Sequence, residues 1–150
     1  MFLLDTNIVS YLIKNTPTVA DQLLSKLESI APQEVFVSSL SEYEIYAGLA
    51  GIDKTHLDRA HYAKRLTQAA DEIFGYFTLL DLRAPHDTKL AAEISGKMKL
   101  AGTRATPIDT LIAAQAIQHQ LTLISNDDDF LPMQQHLPRG LNLRIENWCH

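Results

Sequence analysis

Along the 150 residues, short apolar runs alternate with longer stretches whose apolar positions recur every three or four residues. The short runs are Phe2 to Leu4, Val35 to Ser38, Phe77 to Leu82, Leu121 to Ser125 and Leu141 to Ile145. Runs of this length without strict alternation read as strands buried on both faces, as in a parallel sheet covered by helices. Between them, helices are predicted from about Thr6 to Lys14, then past Pro17 to near Ile30. A third begins where Ser39 or Ser41 can cap it and runs to about Leu49, with Gly48 and Gly51 marking its end. The fourth spans Lys54 to Tyr76, where Leu66, Ala69, Ala70, Ile73, Phe74 and Phe77 form the stripe of a helix packed on a core. Pro85 to Leu100 is a fifth, closed by Gly102, and Thr106 opens a sixth. This alternation predicts an α/β fold, a three-layer α/β/α sandwich around a mostly parallel sheet of about five strands. With no repeat, low-complexity run or linker in view, residues 1–150 are expected to form one domain with one core.

Composition narrows the class. Apolar residues at 46% and charged residues at 21% are ordinary for a globular protein and exclude a disordered or fibrous chain. An acid as early as Asp5, with no basic segment before it, is unlike a secretory signal, and no run is long enough to span a membrane. A cytoplasmic location is therefore expected. The lone Cys149 has no partner for a disulfide and no His or Cys at zinc-ligand spacing, so it reads as a free thiol. A net charge of −5 is unusual for a nucleic-acid binder, but an enzyme that holds divalent cations needs clustered acids, and bound cations reverse the local sign. Basic residues are also grouped. Lys89, Lys97, Lys99 and Arg104 precede the sixth helix, and Arg59, Lys64 and Arg65 lie in the fourth; solvated helix faces explain such groups equally well.

Four places in the chain carry candidate chemistry. Asp5 follows the first strand and precedes Thr6-Asn7, at the carboxyl end where open parallel sheets form ligand crevices, and a helix N-cap accounts for it just as well. Glu44 lies one helical turn before Gly48, whose missing side chain leaves space above the acid. Glu42 is roughly 200° away around the same helix and points elsewhere. Thr106, Pro107 and Asp109 fit the N-cap, N1 and N3 positions of a near capping box, yet Ile112, Ala113 and Ala116 share the face of Asp109 and turn it inward. Finally, Ser125-Asn126-Asp127-Asp128-Asp129-Phe130 crowds three acids after the fourth strand, either as a polar turn or as charges that a metal would offset, with Phe130 expected to plug into the core. Ser125 is placed to orient a carboxylate or water, or to bond its own backbone. In a doubly wound sheet these four places converge. A set of oxygen ligands without Cys or a paired-His motif favours Mg²⁺ or Mn²⁺ over zinc, and such ions suit phosphoryl-transfer chemistry.

The same residues carry a resemblance. Leu3-Leu4-Asp5-Thr6-Asn7-Ile8, Glu44-Ile45-Tyr46-Ala47-Gly48, Ile108-Asp109-Thr110-Leu111-Ile112-Ala113-Ala114 and Leu123-Ile124-Ser125-Asn126-Asp127 with Asp129-Phe130 are similar, in order and spacing, to the motifs of PIN-domain nucleases. The VapC toxins of bacterial toxin–antitoxin pairs match best, down to the closing Leu143-Arg144-Ile145-Glu146-Asn147-Trp148. The resemblance implies a Mg²⁺-dependent endoribonuclease restrained by a cognate antitoxin that inserts a segment near the active site. It implies metal-binding roles for Asp5, Glu44 and Asp109. Asp127 takes the variable fourth position, Asp129 the place of a second acid before the Phe, and Ser125 stands where Thr is frequent. Thr6 and Asn7 support the first acid within its motif.

Rival readings fit less well. A phosphatase of the haloacid dehalogenase type needs a second Asp two residues after the first, where this chain has Asn7, and a receiver domain needs a Lys after a late strand that is absent here. A non-catalytic PIN-type RNA- or protein-binding module would normally have lost an acid, and none is missing. Lys97, Lys99 and Arg104 are expected to meet RNA phosphates, and Tyr43, Tyr46 and Tyr62, on helices with a separate core stripe, suggest a homodimer.

Overall fold

The computed structural model describes all 150 residues. Five strands, β1 (Phe2–Leu4), β2 (Val35–Ser38), β3 (Thr78–Leu80), β4 (Thr122–Ile124) and β5 (Arg144–Glu146), form one sheet in the order β3-β2-β1-β4-β5. Every pairing is parallel, and Leu3 stands in register with both Phe36 and Leu123, Leu4 with Val37 and Ile124. Successive strand residues face opposite ways, so this register sorts side chains into two layers. Leu3 and Leu123 join a core with α5 (His86–Leu100) and α6 (Pro107–Gln118). Leu4, Val37 and Ile124 join a second with α1 (Thr6–Lys14), α2 (Val19–Leu27), α3 (Ser39–Ala50) and α4 (Leu57–Tyr76). The three-layer α/β/α sandwich follows directly. The α4 stripe lies where its periodicity puts it, with Leu66 and Ala70 buried and Ala69, Ile73, Phe74 and Phe77 packed around them.

Several boundaries differ from the sequence reading. The cap of α3 is Ser38, whose side chain accepts from Leu40 N–H at 3.1 Å, rather than Ser39 or Ser41; Ser41 is buried inside the helix. The last strand is Arg144–Glu146, later than the predicted run, because Leu141 is exposed and the chain meets the core only from Leu143 onward, through Leu143 and Ile145. A short helix unforeseen in the sequence, α7 (Leu131–Gln135), accepts Pro132 in its first turn, where a missing N–H costs nothing. At the end of α5, Gly102 adopts φ +75°, and the N–H groups of Gly102 and Thr103 close back on the carbonyls of Lys99 and Met98. That left-handed closure turns the chain toward α6 and is the conformation glycine adopts without steric cost.

The order β3-β2-β1-β4-β5 reverses direction between β1 and β4, the switch point outside whose carboxyl ends an open parallel sheet forms its crevice. Asp5 and Ser125 follow these two strands directly, and Asp5 N–H extends the ladder to the Ile124 carbonyl at 3.0 Å.

Candidate active site

Each acid reaches the crevice from a different element; hydroxyls hold Asp5, Glu44 and Asp109, and a backbone amide holds Asp127. Asp5 is 2% exposed, and its carboxylate accepts from Thr6 N–H at 2.6 Å and from Ser125 Oγ at 3.0 Å. Ser125 in turn accepts from Asp127 N–H at 3.0 Å, so both uses foreseen for this serine occur at once: it orients a carboxylate and bonds its own loop. The loop is completed by Asp127, which accepts from Asp129 N–H at 2.9 Å, and by Phe130, fully buried below it.

Thr6 Oγ1 donates to Glu44 Oε2 at 2.7 Å and lies 2.8 Å from Ser41 Oγ. A hydroxyl has one proton to give, so Ser41 donates to Thr6, and the relay runs Ser41, Thr6, Glu44. Ser41 was not foreseen as part of the site; its place one helical turn before Glu44 on the same face is the signal that would have found it. Glu44 and Gly48 border the same cavity, and a Cβ built on Gly48 meets nothing within 4 Å, which is the space expected above the acid.

At the start of α6 the capping and the site readings coexist. Thr106 Oγ1 accepts from Asp109 N–H at 3.2 Å and donates to Asp109 Oδ2 at 2.6 Å. The threonine does the capping, which leaves the Asp109 carboxylate free to face its neighbours. Ile112, Ala113 and Ala116, on its side of the helix, are fully buried.

The acids sense one another. Burial raises the Asp5 carboxyl from 3.8 to about 6 against the lowering effect of its hydrogen bonds, and the charges of Asp109 and Asp127 add to the rise. Burial also raises Asp109, whose Thr106 hydrogen bond opposes the shift, while Asp127, Glu44 and Asp129 reinforce it. Asp127 thus acts on both the buried Asp5 and the half-buried Asp109, and Asp129 on Asp109 alone. No three of the acids are drawn to the distance at which side chains ligate one ion. Each is instead turned to its own hydroxyl or amide donor. The donor set still suits a hard divalent cation in chemistry: only oxygens, carboxylates within mutual electrostatic reach, and a buried Asp5 whose charged form lacks a compensating cation.

The remaining expected residues divide. Asn7 is exposed and stands outside this hydrogen-bond network. Lys99 and Arg104 border one polar cavity of about 490 Å³ beside the turn into α6, but Lys97, roughly 200° around the helix from Lys99, does not. The basic trio is therefore a pair. Among the tyrosines, Tyr46 is taken up internally, donating its hydroxyl to Asp71 and stacking near Phe74, whereas Tyr43 is exposed.

Comparison with known proteins bears on this geometry. The PIN domain sequence profile matches residues 2–134. The chain is 31% identical over 150 residues to ribonuclease VapC2 of Haemophilus influenzae, covering 98% of this chain and 97% of that protein. It is 30% identical to toxin FitB of Neisseria gonorrhoeae over 134 residues, covering 85% of this chain and 88% of that one. Among solved structures, VapBC2 from Rickettsia felis bound to a promoter DNA fragment superposes with a TM-score of 0.77 at 25% identity, covering 98% of both chains. With a profile match across most of its length and full-length relatives of this kind, the chain belongs to the PIN domain family.

Proposed function

We propose that this chain is a metal-dependent endoribonuclease, the toxin of a toxin–antitoxin pair, and that Asp5, Glu44, Asp109 and Asp127 hold Mg²⁺ or Mn²⁺ while RNA phosphodiester bonds are hydrolysed. The observation that carries the reading is that four carboxylates from separate elements lie within electrostatic reach of one another: Asp109 and Asp127 act on the buried Asp5, and Glu44 acts on Asp109. The names of its relatives, ribonuclease VapC2 and toxin FitB, point the same way. When bound, such an ion supplies an activated water and offsets charge on the phosphate. The chain's own residues do the positioning. Ser125 holds Asp5, the Ser41–Thr6 relay holds Glu44, and Thr106 holds Asp109, so each carboxylate has a fixed hydrogen-bond partner beside the proposed ion site. Asp127 is preferred to Asp129 as fourth acid because its charge reaches both Asp5 and Asp109, whereas that of Asp129 reaches Asp109 alone. Lys99 and Arg104 are assigned to RNA phosphates.

A cognate antitoxin is proposed as partner, by analogy with the VapBC complex among the structural relatives. The cytoplasm, where RNA substrates are, is the proposed location; no helix is long and apolar enough to cross a membrane. The test is incubation of purified chain with total RNA in Mg²⁺ and in EDTA, with Asp5→Asn as control and 5′ ends mapped. Cleavage that survives EDTA or the substitution would overturn the reading, and binding without any cleavage would reinstate a non-catalytic module.

A further inference from the structure

A cavity of about 430 Å³ opens between α1, α3 and α4, and Glu44 forms part of its wall. The same carboxylate takes the Thr6 hydroxyl and adds its charge to Asp109, so the cavity adjoins the acid cluster. Its composition is unusual for this surface. Ile45 and Leu49 give an aliphatic floor, Tyr62 an aromatic ring, and Lys14 and Arg59, both exposed, supply two cations. The apolar groove elsewhere on the molecule, of about 400 Å³, has Glu28 and Glu72 on its rim instead and would repel an anion. The polar hollow of Lys99 and Arg104 has cations but no aromatic wall.

An apolar floor, one ring and two cations beside a phosphodiester-cleaving centre are complementary to a single nucleotide, whose base is flat and apolar on its faces and whose phosphate is anionic. Single-stranded RNA is held in this way, by stacking on aromatic side chains with basic residues along the backbone. The volume lies within the roughly 300–1,000 Å³ usual for small-molecule sites. Arg65 sits with its guanidinium 5.5 Å from the Tyr62 ring centroid, a contact that steadies the ring. Gly48 keeps the wall next to Glu44 low, since nothing lies within 4 Å of where its Cβ would be.

Building on the ribonuclease reading, we propose that this cavity is a nucleotide subsite. It receives the nucleotide flanking the scissile phosphate of single-stranded RNA, with the base against Tyr62 and the phosphate between Lys14 and Arg59.

Gly48→Leu tests this without disturbing the fold, because the added side chain grows into open space on a helix that prefers leucine to glycine. The wild-type chain, Gly48→Leu, Tyr62→Ala and Tyr62→Phe are titrated into fluorescein-labelled decaribonucleotides of single base composition, in EDTA, by anisotropy. Steady-state cleavage in Mg²⁺ accompanies the titration. Gly48→Leu and Tyr62→Ala are expected to bind roughly tenfold more weakly and to raise KM by a similar factor, with kcat within about twofold, while Tyr62→Phe keeps wild-type values. Lys14→Gln combined with Arg59→Gln should lower the slope of log affinity against log salt by roughly 0.7, the one phosphate they share on a single strand. Variants that bind like a cleaving wild type would overturn the subsite alone. A wild type that neither binds nor cuts RNA would overturn the ribonuclease reading with it. Unchanged RNA binding with lost affinity for a partner protein would reassign the cavity to a protein segment.

Discussion

At the scale of single residues, the site is a set of carboxylates whose charge the fold makes costly. Asp5 has a folded pKa of about 6 against 3.8 when unperturbed. Between those values the folded chain binds more protons than the unfolded one, so stability is present below about pH 4 and is lost as pH rises through about 6. Up to about 3 kcal/mol is at stake. Melting of the wild type and Asp5→Asn in EDTA from pH 4 to 7 should show the wild type losing ground across that window and running parallel above it; parallel curves throughout would show that burial of Asp5 carries no such cost. Asp109 is raised in the same direction, chiefly by burial, with its acidic neighbours adding to the shift. Because Thr106 supplies the helix cap and its bond from Asp109 N–H survives substitution, Asp109→Asn keeps the cap and removes one of several like charges. The variant should melt higher than wild type in EDTA, gain less from Mg²⁺, and lose nearly all RNA cleavage. A lower melting point in EDTA with the full Mg²⁺ gain and intact cleavage would return Asp109 to a purely structural role.

At the scale of elements, Gly102 ends α5 in a left-handed conformation, with open space where a Cβ would be. Gly102→Ala should therefore cost about 1–2 kcal/mol through backbone strain alone, read as a lower urea midpoint at unchanged slope. The elements that were legible in the sequence are those decided by burial. β1 and β2 lie in the middle of the sheet, where both faces demand apolar side chains, and their bounds match the apolar runs. β3 and β5 are edges with exposed positions, so apolar runs mark them only loosely, and Leu143 is buried outside any strand. α7 was missed because Pro132 reads as a breaker unless it falls in a first turn. The four acids stood out because carboxylates at strand ends and on apolar helix faces are anomalies. Ser41 did not, since a serine near a helix start already has a local explanation, and only the packing of α3 against α1 brings it to Thr6.

For the molecule as a whole, charge and apolar exposure make two further predictions. Tyr43 and Leu57 are exposed by 67% and 71%, on the same side of the fold as α3 and α4, and are proposed to meet a second copy of the chain. Light scattering at micromolar concentration should return twice the 16.8 kDa of one chain, and Tyr43→Glu should return a single chain; a wild type that is monomeric throughout would remove the interface. Lys99 and Arg104 share one hollow, so replacing both with Ala should reduce the salt slope of RNA binding by roughly 1.4. Lys97→Ala, outside that hollow, should leave the slope unchanged. An equal effect of Lys97 would mean that RNA follows the outer face of α5 instead.

Because β1 pairs with β4 as well as with its sequence neighbour β2, the hydrogen bond from Ser125 to Asp5 closes across 120 positions. Asp5 thus precedes by most of the chain the segment that holds its carboxylate. Non-local pairing of this kind comes late, after the loops it closes have been made. On the proposed ribonuclease reading, a growing chain would therefore lack its full acid cluster, and the chemistry proposed for it, until the Ser125 segment has emerged.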